Sequence, residues 1–234
     1  MNKVSGDLNR LEAALGHRFK DATLLRQALT HRSFGIPHNE RLEFLGDSIL
    51  NVVTAWLLFD AFPERSEGEL SRLRASLVKK ETLAELASDL GLSDYLRLGD
   101  GEARSGGYQR PSILADTLEA LFAAICLDAD FEAAKRSVAR LLGPRIATID
   151  PETHGKDSKT RLQEWLQAQR LALPDYQIVS QHGEAHDQHF VIACRIAALD
   201  LVCEGEGGSR RAAEQVAATR ALALLPAVKK GKKP

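Results

Sequence analysis

Glu40, Glu43 and Asp47 stand at i, i+3 and i+7 within the stretch ERLEFLGDSIL. On a helix turning about 100° per residue, they fall within roughly 60° of one another. Asp116 and Glu119 stand at i, i+3 within SILADTLEALFAAI. Apolar residues crowd both sets, which puts the carboxylates at the edge of a core stripe, facing a neighbouring helix. Packing the two faces together would gather several negative charges. Like charges about 4 Å apart repel by about 1 kcal/mol in water and by about 4 kcal/mol at an effective dielectric of 20. Such a cluster calls for a counter-charge. Oxygen-only ligation suits Mg²⁺ or Mn²⁺, which keep waters and accept phosphate oxygens. An ion held this way activates water and stabilises the leaving oxygen of a phosphodiester. Spacing alone leaves a plainer reading open. Carboxylates on exposed helix faces are commonly just solvated, Glu40 and Glu67 can favour helix N-termini through the backbone dipole, and Glu43 can pair with a nearby arginine.

The elements that must carry these residues are helices throughout residues 1–147. Asn39 is placed to cap a helix with Leu42, Leu45, Ile49 and Val53 at helical spacing. Gly46 lies inside that helix and predicts close packing of a neighbour. Ser66 and Glu69 have the spacing of a capping box, followed by Leu70, Leu73 and Leu77 and then by Leu83, Leu86 and Leu90. The glycine-rich segment from Gly99 to Gly107 reads as a loop. Pro111 suits the first turn of the next helix, whose apolar side is Ile113, Leu114, Leu118, Leu121 and Ile125. Asp130 is placed to cap a last helix ending before Gly143-Pro144.

Residues 148–157 carry proline, glycine and charge without apolar pattern and read as a linker. From 158 the rhythm changes. Residues 158–169 predict a short helix, and Leu173-Pro174-Asp175 a break. Tyr176 to Ser180 reads as a strand, Phe190, Ile192, Cys194 and Ile196 alternate as a second, and Leu199, Leu201 and Cys203 as a third. The GEGGS stretch reads as punctuation. Ala213, Val216, Ala217, Ala221 and Leu224 then line a final helix. The order over residues 158–227 is α-β-β-β-α, and residues 228–234 form a basic tail expected to be disordered.

The whole-chain net charge of −1 does not advertise a nucleic-acid partner. Residues 1–155 carry 19 basic and 23 acidic side chains, whereas residues 156–234 carry 12 and 9. That split argues for two modules with different tasks. No apolar run approaches the roughly 20 residues of a membrane helix, and no secretory signal is evident. Cys126, Cys194 and Cys203 lack metal-ligand spacing, so reduced thiols in a cytoplasmic protein are the simplest expectation.

ERLEFLGDSIL at 40–50 closely resembles the signature stretch of the ribonuclease III family. ALTHRS (28–33), TLAELA (82–87) and SILADTLEAL (112–121) resemble further family segments in their expected order. GEAHDQ (183–188) and SRRAAEQ (209–215) resemble the family's double-stranded-RNA-binding domain. The resemblance spans nearly the whole chain and implies an all-α nuclease domain followed by an α+β RNA-binding domain. It implies a divalent-metal-dependent endonuclease that cuts double-stranded RNA, leaving 5′-phosphate and 3′-hydroxyl ends, in processing of ribosomal and other structured RNA. By the same resemblance Glu43, Asp47, Asp116 and Glu119 are metal-binding carboxylates, with Asp47 and Glu119 catalytic. Glu40 and Glu67 are auxiliary acidic positions that engage RNA or a partner subunit. A homodimer is implied as well, because one domain holds one site and a duplex has two strands. Phe44, Leu45 and Ile49 are interface candidates, each equally readable as ordinary core. A non-catalytic duplex binder is the competing class, and the complete acidic set argues against it.

Duplex RNA is read through 2′-hydroxyls in two minor grooves and phosphates across the major groove between them. Thr160, Gln163 and Glu164 on the first helix of the second module can serve one minor groove. His186 in the loop between its first two strands can serve the other. Arg210 and Arg211 open the final helix, where the dipole and free N–H groups also favour phosphate. Arg97, Arg104 and Arg110 border the glycine-rich segment and are candidates for backbone contact, with ordinary surface charge as the alternative.

Overall fold

In a computed structural model that describes residues 6–152, 157–183 and 188–225, two long apolar helices organise the first half of the chain. The chain divides into two compact units, Met1–Gly155 and Lys156–Pro234. His186 and the tail 228–234 lie outside the described residues, as does the middle of the expected linker.

The first unit runs α1 (Leu8–Leu15), α2 (Ala22–Ala28), α3 (Glu40–Ala61), α4 (Glu67–Leu77), α5 (Lys80–Asp89), α6 (Asp100–Arg104), α7 (Pro111–Asp128) and α8 (Phe131–Thr148). Helices α3 and α7 cross at its centre, and Gly46 is the crossing point. A Cβ on Gly46 would overlap the backbone carbonyl of Glu119 in α7, so the absence of a side chain is what allows the contact. Helix α7 is apolar nearly all round, with Leu114, Leu118, Leu121 and Phe122 buried beside a run of alanines. Its buried Thr117 hydroxyl donates to the Ile113 carbonyl at 2.7 Å, so no polar group is stranded. Helix α3 is apolar and long enough to match a membrane span by length and composition. It packs here as a core helix, with Leu50, Val53 and Leu58 fully buried.

Several local expectations hold. Ser66 and Glu69 form the reciprocal capping box of α4, Pro111 opens α7, and Asp130 caps α8 by accepting from the Ala133 N–H at 2.7 Å. Others are corrected. Asn39 precedes α3 but makes no side-chain cap bond; it is buried and its backbone is already in the helical region. The glycine-rich segment is not wholly loop, because residues 100–104 coil into α6, whose first-turn Asp100 and Glu102 favour its N-terminus. Helix α8 does not stop before Gly143-Pro144 but continues to Thr148. Pro144 forfeits a backbone bond there. Burial of Leu142 and Ile146 on either side, with Arg145 paired to Glu85 at 2.9 Å, outweighs that loss.

The second unit runs α9 (Ser158–Ala168), β1 (Asp175–His182), β2 (His189–Ile196), β3 (Leu201–Gly207) and α10 (Arg210–Leu224). The strands form an antiparallel sheet in the order β1-β2-β3, with a register shift between Ile178 and Ser180. Asp157 caps α9 and Ser209 caps α10. Leu162, Leu166, Cys194, Ile196, Ala217 and Ala221 form the core. The GEGGS stretch is partly strand: Gly205 pairs with Ile192, and Gly207 with Phe190. A Cβ on Gly205 would collide with the backbone of Ala217, so the glycine lets α10 lie directly on the sheet. Leu199 lies in a 3₁₀ turn (Ala197–Leu199) before β3 and not in the third strand, and on α10 Ala218 belongs to the buried stripe while Leu224 is exposed.

Candidate active site

The Gly46 crossing fixes which carboxylates meet. Glu43 lies one turn before it on α3, and Asp116 and Glu119 lie on the part of α7 that it touches. Oxygens of Glu43, Asp116 and Glu119 all fall within 4.8 Å of one another, and all three side chains are half-buried. Among the described residues, none of the three has a cation at ion-pair distance.

The electrostatic consequence is direct. Burial pushes the Glu119 carboxyl up to about 8, with the charges of Asp47, Asp116 and Glu43 adding to it and Lys80 opposing. Burial also raises Glu43, helped by Asp116 and Glu40. Asp116 is raised by burial, while Lys80, His31 and Arg32 pull the other way. Burial is the largest push on all three acids, and the nearby cations Lys80, Arg32 and His31 oppose it only in part. The cluster offers only carboxylate oxygens, which is a donor set for a hard divalent cation. The residues present therefore fit a Mg²⁺ or Mn²⁺ ion.

Asp47 is one turn further along α3 and exposed. Its Oδ1 accepts from Asn51 Nδ2 at 2.9 Å, and it stands outside the three-oxygen group while acting on Glu119 through its charge. Glu40 is exposed and takes Arg32 at 3.1 Å. It lines the same hollow as Glu43 and Asp116. Glu67 lies elsewhere, in a hollow with Ala55, Phe59 and Leu70, where it accepts from the Ser71 hydroxyl at 2.7 Å. The interface candidates separate: Ile49 is core, Leu45 packs against the core, and Phe44 is 78% exposed. Sequence reading missed the rest of that exposed strip, Val52, Trp56 and Phe59 on α3. Their spacing from Phe44 by helical turns was the available signal.

Arg97, Arg104 and Arg110 all have internal partners. Arg97 lies over the Phe34 ring at 4.3 Å, Arg104 donates to the Asp100 carbonyl, and Arg110 pairs with Glu102.

In the second unit Thr160, Gln163 and Glu164 are exposed on one face of α9. Arg210 and Arg211 open α10, the first donating to Glu214 at 3.0 Å and the second 84% exposed, 3.9 Å from Asp157. Sequence reading missed Glu214, which is 8% exposed and also takes Lys159 from α9. Its i+4 spacing from Arg210 was legible, but the reach across to Lys159 was not.

Residues 21–146 match the model of the ribonuclease-III-like family, and residues 158–225 match the double-stranded RNA binding motif. The chain belongs to the ribonuclease III family. Ribonuclease 3 of Chromobacterium violaceum is 58% identical over 96% of this chain and 95% of its own length. Ribonuclease 3 of Thiobacillus denitrificans is 60% identical over 92% and 96%. A crystal structure of the nuclease domain of ribonuclease III from Campylobacter jejuni superposes with a TM-score of 0.58 and 45% identity, covering 62% of this chain and 99% of that one. The acidic hollow thus belongs to an endoribonuclease of the ribonuclease III type, and the second unit is its double-stranded-RNA-binding domain.

Proposed function

We infer that this endoribonuclease hydrolyses phosphodiester bonds of double-stranded RNA with a divalent cation held by Glu43, Asp116 and Glu119, with Asp47 beside them. The single observation that carries the reading is the meeting of three half-buried carboxylates from two helices within 4.8 Å. A bound Mg²⁺, or Mn²⁺ in its place, supplies a lowered pKa for water and a positive charge for the phosphodiester oxygens. The chain's own part is positional. Gly46 sets the distance between the two acidic helices, and Lys80 tempers the charge on Asp116 and Glu119. Burial and the neighbouring carboxylates favour the protonated form of Glu119, and a bound cation would favour its carboxylate. The products are 5′-phosphate and 3′-hydroxyl ends.

The RNA-binding unit presents Thr160, Gln163 and Glu164 to a minor groove and Arg210 and Arg211 to phosphates, with His186 proposed for the second minor groove. The active form is a homodimer, for which the exposed strip Phe44, Val52, Trp56 and Phe59 on α3 is the supporting surface. Glu67 lines the hollow beside Phe59, where a second copy would meet it. A Campylobacter jejuni relative has been described with a flexible region involved in dimer formation of its nuclease domain. Processing of ribosomal precursor and messenger RNA in the cytoplasm completes the proposal. Incubating the protein with duplex RNA in Mg²⁺ or in chelator tests it. Cutting in Mg²⁺ alone is expected; equal cutting in chelator contradicts the metal, and none in either condition contradicts the activity.

A further inference from the structure

The hollow that holds Glu43 and Asp116 is lined also by His31, from the segment between α2 and α3. The ring is half-buried and its hydrogen bonds fix its protons. The Ser33 backbone N–H donates to His31 Nδ1 at 3.2 Å, which requires a lone pair there. Ser33 Oγ lies 2.9 Å from the same nitrogen and itself accepts the Gly99 N–H at 3.0 Å, so its own proton is free to go to Nδ1. Nδ1 is therefore an acceptor, and the neutral ring carries its proton on Nε2. Among the described residues Nε2 has no hydrogen-bond partner.

The segment that carries the ring is tied down from the other side. The His31 N–H donates to the Arg97 carbonyl at 3.0 Å, and Arg97 covers Phe34. Gly99 must be glycine for this contact, since a Cβ there would collide with the Ser33 carbonyl. A donor held this firmly in an acidic hollow, and unspent within the described residues, is available to an acceptor from outside.

We propose that His31 Nε2–H donates a hydrogen bond to a non-bridging phosphate oxygen of the RNA strand lying in this hollow, making His31 a substrate-contact residue of the cleavage reaction. The proposal rests on the function inferred above. Glutamine can place an N–H where Nε2 stands, whereas asparagine reaches only the Nδ1 position. In single-turnover cleavage by the full chain with Mg²⁺, His31→Gln is expected to stay within about threefold of wild type. His31→Ala and His31→Asn are expected to lose about 10- to 100-fold, the worth of a hydrogen bond to a charged group. Duplex RNA binding in chelator, carried mainly by the RNA-binding unit, is expected to change far less than cleavage in all three. Full activity of the alanine variant, or a glutamine variant as slow as alanine, overturns the proposal.

A second readout does not depend on cutting. Long-range ¹H–¹⁵N spectra of the imidazoles should show His31 as the Nε2–H tautomer, with its Nε2 resonance shifting when duplex RNA and Mg²⁺ are added to Glu119→Gln. The other tautomer, or an unmoved resonance, overturns the contact. A wild-type chain that fails to cut while these spectra behave as expected counts against the inferred function instead.

Discussion

Two buried carboxylate settings in this molecule point opposite ways. Glu119 sits in the nuclease unit among Asp47, Asp116 and Glu43, and its pKa rises to about 8. Glu214 sits in the RNA-binding unit with little solvent access, yet its pKa is lowered. Burial alone pushes Glu214 up, but hydrogen bonds and charge from Lys159 and Arg210 outweigh it. Burial is the main push on Glu119 and neighbouring acids add to it, whereas at Glu214 two paired cations reverse the push of burial. The RNA-binding unit satisfies its buried acid internally and uses it to join α9 to the start of α10. Among the described residues of the nuclease unit, Glu43, Asp116 and Glu119 have no paired cation, and a divalent ion would fill that place.

The sharpest way to break the comparison is to remove the charge at its centre. Glu119→Gln is expected to lower cleavage at least about 10³-fold while duplex binding in a filter or gel-shift assay stays within twofold, on the scale of losing a charged group used in the transition state. Loss of binding would mean the two units do not work separately. Gly46→Ala attacks the crossing that creates the cluster. The added methyl meets the Glu119 carbonyl, so denaturant unfolding should show a loss of about 3 kcal/mol, as for overpacked cores, with cleavage falling alongside.

The contrast also has a pH signature. Glu119 has a folded pKa near 8 against an ordinary value of 4.5, so between those limits the folded state binds more protons than the unfolded one. Stability of the metal-free protein should then be highest near pH 5 and fall as pH rises toward 8. After discounting for solvent screening, the loss is on the order of 2 kcal/mol. Thermal unfolding should show the decline, Mg²⁺ should reverse it, and Glu119→Gln should flatten it. A metal-free protein that gains stability over that range would contradict the assignment. The smallest effects belong to the RNA-binding unit. Changing Arg210 and Arg211 to Ala should weaken binding and reduce the log–log salt slope by about 1 to 2, matching one or two lost phosphate contacts. An unchanged slope would remove their phosphate role.

Much of this arrangement was legible in the sequence. Gly46 announced the close approach that the structure realises, and helical spacing put Glu43, Asp116 and Glu119 on facing sides. Spacing could not rank Glu40, Glu43 and Asp47, which share one arc of α3. Their depth depends on where α7 crosses, and that is a tertiary fact. The misread boundaries have the same origin. Pro144 and the glycines at 205 and 207 looked like breaks, but burial of Leu142 and Ile146, and the seating of α10 on β3, override local preference. His31 was visible only as part of a motif, because its role depends on Ser33 and on Gly99 far along the chain.

Uptake of Mn²⁺ by the intact protein, followed by electron paramagnetic resonance at neutral pH without RNA, tests the central claim most directly. Wild type is expected to bind the ion and release protons as it does so. Single Glu43→Gln, Asp116→Asn and Glu119→Gln changes should each weaken that uptake at least about tenfold. Uptake unaltered by all three would show that these carboxylates do not form a cation site.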